Sequence, residues 1–346
     1  MALDARSRNK VVLQALFPLL ILVLILASAF AAIGIGAVSI PLATVFDILA
    51  HKVAPARIES YWAPGQEAIV WQIRLPRAIL AATVGAGLAV VGAVLQSVTR
   101  NELADPHLLG ISSGGAFGAI LALLHTGRFL GTLTVPFLAF LGALAATFIV
   151  VAISRFTRSS SAARFVLAGV AVSFIILACA NMLIFWGDPR ATHTVVFWML
   201  GGFGRAEWQQ CFYPVLVLIP CGSWLWVKSG ELDAMTIGDE TASTMGITAE
   251  RFRLAVFTAC ALVTGVMVAF SGLIGFVGLM IPHVARFILG GSNSRVVPLS
   301  AMLGAIFLIW ADTASRTFFA PEEIPVGIVT GLFGGIFFVW LLVRAR

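Results

Sequence analysis

Residues 78–99 read AILAATVGAGLAVVGAVLQSVT, a stretch in which no Asp, Glu, Lys or Arg occurs. A helix of this length, rising about 1.5 Å per residue, crosses the roughly 30 Å hydrocarbon core of a bilayer. The other charge-free runs of at least this length include residues 11–46, 129–154, 165–187 and 254–285. The chain is therefore expected to cross a membrane several times as helices.

The composition supports a membrane protein. Of the 346 residues, 60% are hydrophobic and 11% charged, and the mean hydropathy is +1.01. A soluble domain is far more polar, and an outer-membrane barrel shows short alternating segments that are absent here. The net charge of +6 is spread along the chain and does not indicate a nucleic-acid site. The first apolar run is too long for a cleaved signal peptide, so it is interpreted as a retained span.

The fold class predicted is all-α, a polytopic membrane protein forming one transmembrane domain over residues 1–346. With both termini in the cytoplasm, fourteen Lys and Arg residues fall on the inner side and eight on the outer. This bias follows the positive-inside rule. The ten predicted spans cover residues 11–38, 78–99, 107–126, 133–154, 165–187, 206–227, 252–271, 275–290, 296–318 and 325–343.

An internal repeat supports this count. Arg77 precedes Pro106 by the spacing at which Arg253 precedes Pro282. Spans 2–5 and 7–10 are therefore interpreted as two copies, and the five-span offset inverts one relative to the other. Inverted repeats are typical of transporters. A second shared pattern, VPxxAxLGA, occurs at residues 135–143 and 297–305.

The energy source is expected to lie outside the chain. Asp312 and Arg316 are the main ionisable residues within the predicted spans, and they lie four apart on one helix face, where they can pair. The chain has no phosphate-binding loop, which implies a separate ATPase. A secondary transporter is one alternative. A membrane hydrolase that uses Ser112 in the GISSG stretch at residues 110–114 is another. No metal site is predicted, because the four cysteines are scattered.

The longest inner polar stretch lies between spans six and seven, within residues 230–250. Its Ser, Thr and Asp residues predict two short capped helices, separated by Gly238 and ended by Gly246. A separate ATPase would be expected to act on such a compact element at the inner face of a transporter.

At this level of detail the sequence resembles the FecCD-type permeases of type II ABC importers for ferric siderophores, haem and vitamin B12. The resemblance covers about residues 70–345, and Glu102 departs from it, since the family usually has Pro there. The matching stretches include Arg74-Leu75-Pro76-Arg77, Leu167-Ala168-Gly169, Trp198-x-x-Gly201-Gly202, Gly275-Phe276-x-Gly278-Leu279-x-Ile281-Pro282-His283 and Glu323-Ile324-Pro325-Val326-Gly327.

The resemblance implies a homodimer in the bacterial inner membrane, with two cytoplasmic ATPase subunits and a periplasmic binding protein. The chain itself is then no enzyme and binds no cofactor, since ATP and Mg²⁺ are used by the ATPase. The positions implied to dock the binding protein are Arg74, Arg77 and Arg316. Those implied to couple to the ATPase are Thr236, Gly238, Ala242, Met245 and Gly246. The cytoplasmic gate is implied at Asn101, Leu103, Ala162 and Ala163.

The cargo is expected to be an iron chelate, with cobalamin as a further possibility. The fifth span and residues 192–203 match the pathway wall of the family, and they are rich in aromatic residues. An aromatic wall suits a large flat ligand and favours haem over a ferric siderophore or cobalamin. Core packing explains the same aromatics equally well. The wall residues are Phe174, Phe185, Trp198 and Phe203.

Overall fold

The computed structural model describes residues 19–57, 59–106, 110–156 and 162–344, without the side chains of residues 154–156 and 162–165. Within these ranges the chain is helical and contains no strand. The helices of the first half are α1 (Leu19–Gly34), α2 (Leu42–Val53), α3 (Pro64–Thr99), α4 (Ile111–Thr126), α5 (Thr134–Phe156) and α6 (Ala162–Trp186). Those that follow are α7 (Pro189–Met199), α8 (Trp208–Val227), α9 (Ser229–Ile237), α10 (Asp239–Thr244), α11 (Ala249–Ser271), α12 (Val277–Leu289), α13 (Asn293–Thr317) and α14 (Val326–Arg344).

The ten predicted spans all correspond to helices of the described chain. Seven helices are long and apolar enough to cross a membrane, and three shorter apolar ones, α1, α4 and α12, complete the ten. The sequence analysis predicted neither α2 nor α7 as a separate helix. The α7 helix begins at Pro189, directly after Asp188, whose side chain accepts a hydrogen bond from the backbone N–H of Arg190.

A π-helical turn widens α3 at Ile69–Arg74. Pro76 follows it and has no N–H to donate, so the regular i to i−4 hydrogen bonding cannot continue there. The backbone N–H of Leu75 bonds instead to the carbonyl oxygen of Val70, five residues back. Arg74 is the last residue of this turn, and Arg77 lies three residues further along α3.

The core is formed by α3, α11 and α13, which are mostly buried, whereas α5, α6, α8 and α14 leave most of their apolar surface exposed. The α3 helix packs along α13, and α11 packs along α5. These two contacts are equivalent, because each joins the first helix of one copy to the third helix of the other. The packing agrees with the inverted repeat predicted from the sequence.

Glycine allows the closest of these approaches. A Cβ atom added at Gly85 would overlap the carbonyl oxygen of Gly304, and one added at Gly304 would overlap that of Gly85. The α3 and α13 backbones therefore touch directly at this point. Gly114 and Gly142 make the same reciprocal contact between α4 and α5. These two pairs hold helices together within a single chain.

Candidate functional site

Three arginines and two carboxylates form one cluster at the end of the bundle predicted to face the periplasm. We call Arg74, Arg77, Asp312, Arg316 and Glu323 the outer cluster. The Nε atom of Arg77 donates to both oxygens of Asp312, at 2.8 and 3.0 Å, and its Nη1 atom donates to Glu323 Oε2 at 2.8 Å. Arg316 Nε lies 3.2 Å from Asp312 Oδ2. Asp312 and Arg316 therefore form the ion pair that their four-residue spacing allows.

The remaining donors of the cluster bind the end of α1. Arg74 Nη1 donates to the carbonyl oxygens of Ile33 and Gly34, at 2.7 and 3.1 Å. Arg316 Nη2 donates to the carbonyl oxygen of Ala32 at 3.1 Å. The last carbonyls of a helix lack intrahelical partners and carry partial negative charge, so two guanidinium groups stabilise the end of α1.

The docking prediction concerns these same arginines. The structure brings Arg74, Arg77 and Arg316 together, as expected, but their residues are only 6%, 5% and 7% exposed. Their hydrogen bonds are made to groups of the same chain. Direct pairing with a binding protein would require some of these bonds to break. The docking role stays a prediction.

The two short helices predicted around Gly238 are present as α9 and α10, and we call them the coupling helices. Gly238 has φ 153° and Gly246 has φ 82°, values that favour glycine. One side of the pair packs on the bundle through Leu232 and Met235, both fully buried. The other side presents Ile237 and Met245, which are 72% and 63% exposed. A partner that covers this side would find an apolar surface.

The predicted coupling residues divide between these two sides. Thr236, Met245 and Gly246 are exposed, in agreement with contact to a partner. Ala242 is fully buried against the bundle, so its side chain does not reach the exposed side of the pair, and its coupling role stays a prediction. Its small side chain instead lets α10 lie close to the neighbouring helices. A surface ion pair, Lys228 with Glu231, begins α9, and its 2.6 Å hydrogen bond holds the pKa of the Glu231 carboxyl below its usual range.

Two of the four predicted gate residues, Asn101 and Leu103, lie on the turn that follows α3. Arg100 ends the helix with a left-handed φ of 52°. Asn101 Oδ1 then accepts a hydrogen bond from the backbone N–H of Leu103 at 2.9 Å, which fixes a tight turn and leaves Leu103 59% exposed. Ala162 and Ala163 begin α6, and their side chains lie outside the described part of the structure.

The predicted pathway wall is split by the fold. Phe174 and Phe185 lie eleven residues apart on α6, about three helical turns, so they share one face. They are 70% and 84% exposed. Trp198 packs beside buried alanines of α4, α5 and α11. Phe203 is 1% exposed and belongs to the main core, and its role in the pathway wall stays a prediction.

Sequence reasoning missed the residues that attach the coupling helices to the bundle. Asp239, the first residue of α10, accepts hydrogen bonds from Arg253 Nη2 at 2.8 and 2.9 Å. Arg253 is the repeat counterpart of Arg77, and each binds a carboxylate at the end of the bundle where its helix begins. That correspondence was the only available signal. A second carboxylate, Asp233, accepts bonds from Asn293 and Ser292 at the start of α13.

Comparisons with known proteins agree on one class. A sequence profile described as the FecCD transport family matches residues 20–344. The vitamin B12 import system permease protein BtuC of Vibrio cholerae is 36% identical over 285 residues, 82% of this chain and 86% of that protein. The ABC transporter permease protein YvrB of Bacillus subtilis is 38% identical over 320 residues, 90% of this chain and 89% of that protein. A solved metal-chelate type ABC transporter in an inward-facing conformation gives a TM-score of 0.82 at 28% identity, covering 95% of this chain and 99% of that one.

Proposed function

We propose that this chain, which belongs to the FecCD transport family, carries haem from a periplasmic binding protein to the cytoplasm. It is the membrane permease subunit of a type II ABC importer for metal chelates or vitamin B12. The chain is a multi-span helical membrane protein and not itself an enzyme. The working unit is a homodimer in the bacterial inner membrane with both termini cytoplasmic. Two ATPase subunits use ATP and Mg²⁺, and this chain binds neither.

Transport proceeds by alternating access, and the coupling helices receive the motion of the ATPase. The observation that carries this proposal is the two-sided character of α9 and α10. Their inner side is buried on the bundle, while Ile237 and Met245 leave an apolar surface on an otherwise polar segment. Exposed apolar residues of this kind are typical of a protein interface.

This interface is tested by replacing Met245 with Glu. A charge at the centre of an apolar contact is costly to desolvate, so we expect the ATPase to be lost from the purified complex. The matched control is Glu240→Gln, an exposed position on α10, the helix that ends directly before Met245. Retention of the ATPase by the Met245 variant, at the level of the control, would contradict docking through α9 and α10.

Haem is proposed because Phe174 and Phe185 present two exposed aromatic rings on one face of α6. Flat conjugated ligands stack favourably on such rings. Vitamin B12 is the second candidate, because relatives of 36–38% identity are named as vitamin B12 import permeases. Both cargoes are tested in the reconstituted importer with its binding protein loaded with haemin, cyanocobalamin or a ferric siderophore. Haemin should stimulate ATP hydrolysis most, and stronger stimulation by either other ligand overturns the haem assignment.

The outer cluster is proposed to attract the binding protein through its charge. Three arginines and two carboxylates leave it with a net charge of +1, since 3 − 2 = 1. A net positive field steers and orients an acidic partner even where the guanidinium donors are bonded internally. Replacing Arg74 and Arg316 together by Gln should weaken binding-protein association by more than about tenfold at low salt, and by less as salt rises.

The control for docking keeps the charge. Replacement of the same two arginines by Lys removes the planar fork but retains the field, so the affinity should stay within about threefold of the parent. Equal affinity of the Gln and Lys variants at low salt would exclude a docking role for the charge of this cluster.

A further inference from the structure

Asn293, the first residue of α13, bridges the coupling helices and α3. Its backbone N–H and its Nδ2 atom both donate to Asp233 Oδ1, at 2.8 and 2.7 Å. Its Oδ1 atom accepts a hydrogen bond from Ser97 Oγ at 2.8 Å. Asn293 is 1% exposed and Ser97 4% exposed, so water does not compete for these bonds. Both ends of one amide are therefore used, one toward α9 and the other toward the inner end of α3.

An amide is well suited to this position. It donates from one end and accepts at the other, as a carboxylate acceptor and a hydroxyl donor on opposite sides require. A carboxylate at residue 293 would face the Asp233 carboxylate at hydrogen-bond distance. An apolar side chain would break the bridge, although Asp233 would keep Ser292 and the backbone N–H of residue 293, and Ser97 would keep the carbonyl oxygen of Ala93. The donors and acceptors of the bridge thus match an amide at residue 293.

A second link joins the same elements through Asp239 at the start of α10. Besides its bonds to Arg253, its Oδ1 atom lies 3.9 Å from Arg100 Nη2. Arg100 is the residue that ends α3. The coupling helices therefore reach the inner end of α3 twice, through the buried bridge at Ser97 and the partly exposed ion pair at Arg100.

The gate turn begins at this end of α3. Asn101 and Leu103 follow Arg100 directly, and the backbone N–H of Asn101 bonds to the carbonyl oxygen of Gln96, next to Ser97. A displacement of the coupling helices that the two links pass to Ser97 and Arg100 is thus passed to the turn as well.

We propose that Asn293 is a positioning residue that transmits movement of the coupling helices to the gate turn. This inference rests on the proposed docking of the ATPase on α9 and α10. It assigns transmission to a buried hydrogen-bonded relay, from Asp233 through Asn293 to Ser97. Asn293 touches neither cargo nor nucleotide in this scheme, and it acts through the position of α3.

The test follows the gate turn without any cargo. A cysteine is placed at Leu103 in a background where the exposed Cys179 is replaced by serine. The rate of labelling by a membrane-impermeant maleimide is measured in the assembled importer, with and without ATP. In the parent the two rates should differ by about fivefold, the factor expected for a state change worth one hydrogen bond.

Three substitutions in the relay then separate it from general packing. Asn293→Asp sets two carboxylates against each other, and the two labelling rates should then differ by less than about twofold. Asp233→Asn keeps an oxygen acceptor for both donors of Asn293, so it should retain most of the parent response. Ser97→Ala removes the bond to Asn293, together with the local bond to the carbonyl oxygen of Ala93, and leaves the bridge to Asp233, so an intermediate response is expected. Glu231→Gln is the control, because its pair with Lys228, the residue directly before α9, does not reach α3 or α13.

The outcomes are distinct from those that test docking. ATPase content and ATP hydrolysis are measured on the same samples, and loss of the ATPase in the Met245→Glu variant tests docking separately. A parent-like response in Asn293→Asp, with the ATPase bound and hydrolysing, overturns the relay. If Asn293→Asp does not assemble, Ser97→Ala decides, and a parent-like response in that variant overturns the relay equally.

Discussion

Asp312 is the buried carboxylate of the outer cluster, and its replacement by Asn tests the internal role of the three arginines. In the native protein it is 2% exposed and accepts two hydrogen bonds from Arg77, with Arg316 also in ion-pair contact. Asn has nearly the same shape but no charge. The substitution therefore leaves the packing unchanged and raises the net charge of the cluster from +1 to +2.

The expected cost follows from burial. Removing one partner of a buried ion pair costs about 3 to 5 kcal/mol when the remaining charge stays buried without compensation. Here Arg316 would lose its carboxylate contact, whereas Arg77 would keep Glu323. Glu323 provides the comparison, since it also binds Arg77 but its side chain is 49% exposed. Loss of an exposed pair costs up to about 1 kcal/mol. The Asp312→Asn variant should thus lose about 2 kcal/mol or more beyond the loss caused by Glu323→Gln.

The assay is unfolding of the detergent-purified protein by sodium dodecyl sulfate, followed by tryptophan fluorescence. Both variants are compared with the parent at the same lipid and detergent content. The unfolding free energy should be highest for the parent, lower for Glu323→Gln and lowest for Asp312→Asn. Equal loss in the two variants would refute the reasoning, because burial of the charge would then have no energetic consequence.

Three further predictions follow from the fold. Gly304→Leu should abolish the stable monodisperse protein in size-exclusion chromatography, since its Cβ overlaps α3, whereas Gly331→Leu, where nothing lies within 4 Å, should not; similar profiles would contradict the direct α3–α13 contact. Arg74→Met removes the donors to the Ile33 and Val38 carbonyls, whereas Gly34 keeps the backbone N–H of Ile40; it should lower the unfolding free energy by about 1 to 3 kcal/mol, a loss that Arg74→Lys should partly restore, and no loss would argue against the stabilising role. A periplasm-active phosphatase fused at the C-terminus should be silent, and activity would reverse the predicted topology.

Span positions were predictable from the sequence alone. Hydropathy and the absence of charge are local properties, and residues 206–227 and 325–343 were predicted within two residues of the observed Trp208–Val227 and Val326–Arg344. The two coupling helices were also predictable from local sequence, because Gly238 separates them and Gly246 follows the second. The side-chain caps predicted for them are not made, since the N-cap residues Lys228 and Gly238 form no side-chain cap hydrogen bond. The inverted repeat was recognisable because the same motifs occur twice in the chain at the same spacing.

Tertiary structure decided which polar groups meet. Arg77 and Asp312 are 235 residues apart, and Ser97 and Asn293 are 196 apart. No local pattern encodes such pairs, because they depend on which helix faces pack together and at what depth. The same limit explains why the burial of Ala242 and Phe203 was not predicted. A small residue and an aromatic one occur both at surfaces and in cores, and only the packing of neighbouring helices shows that both are buried here.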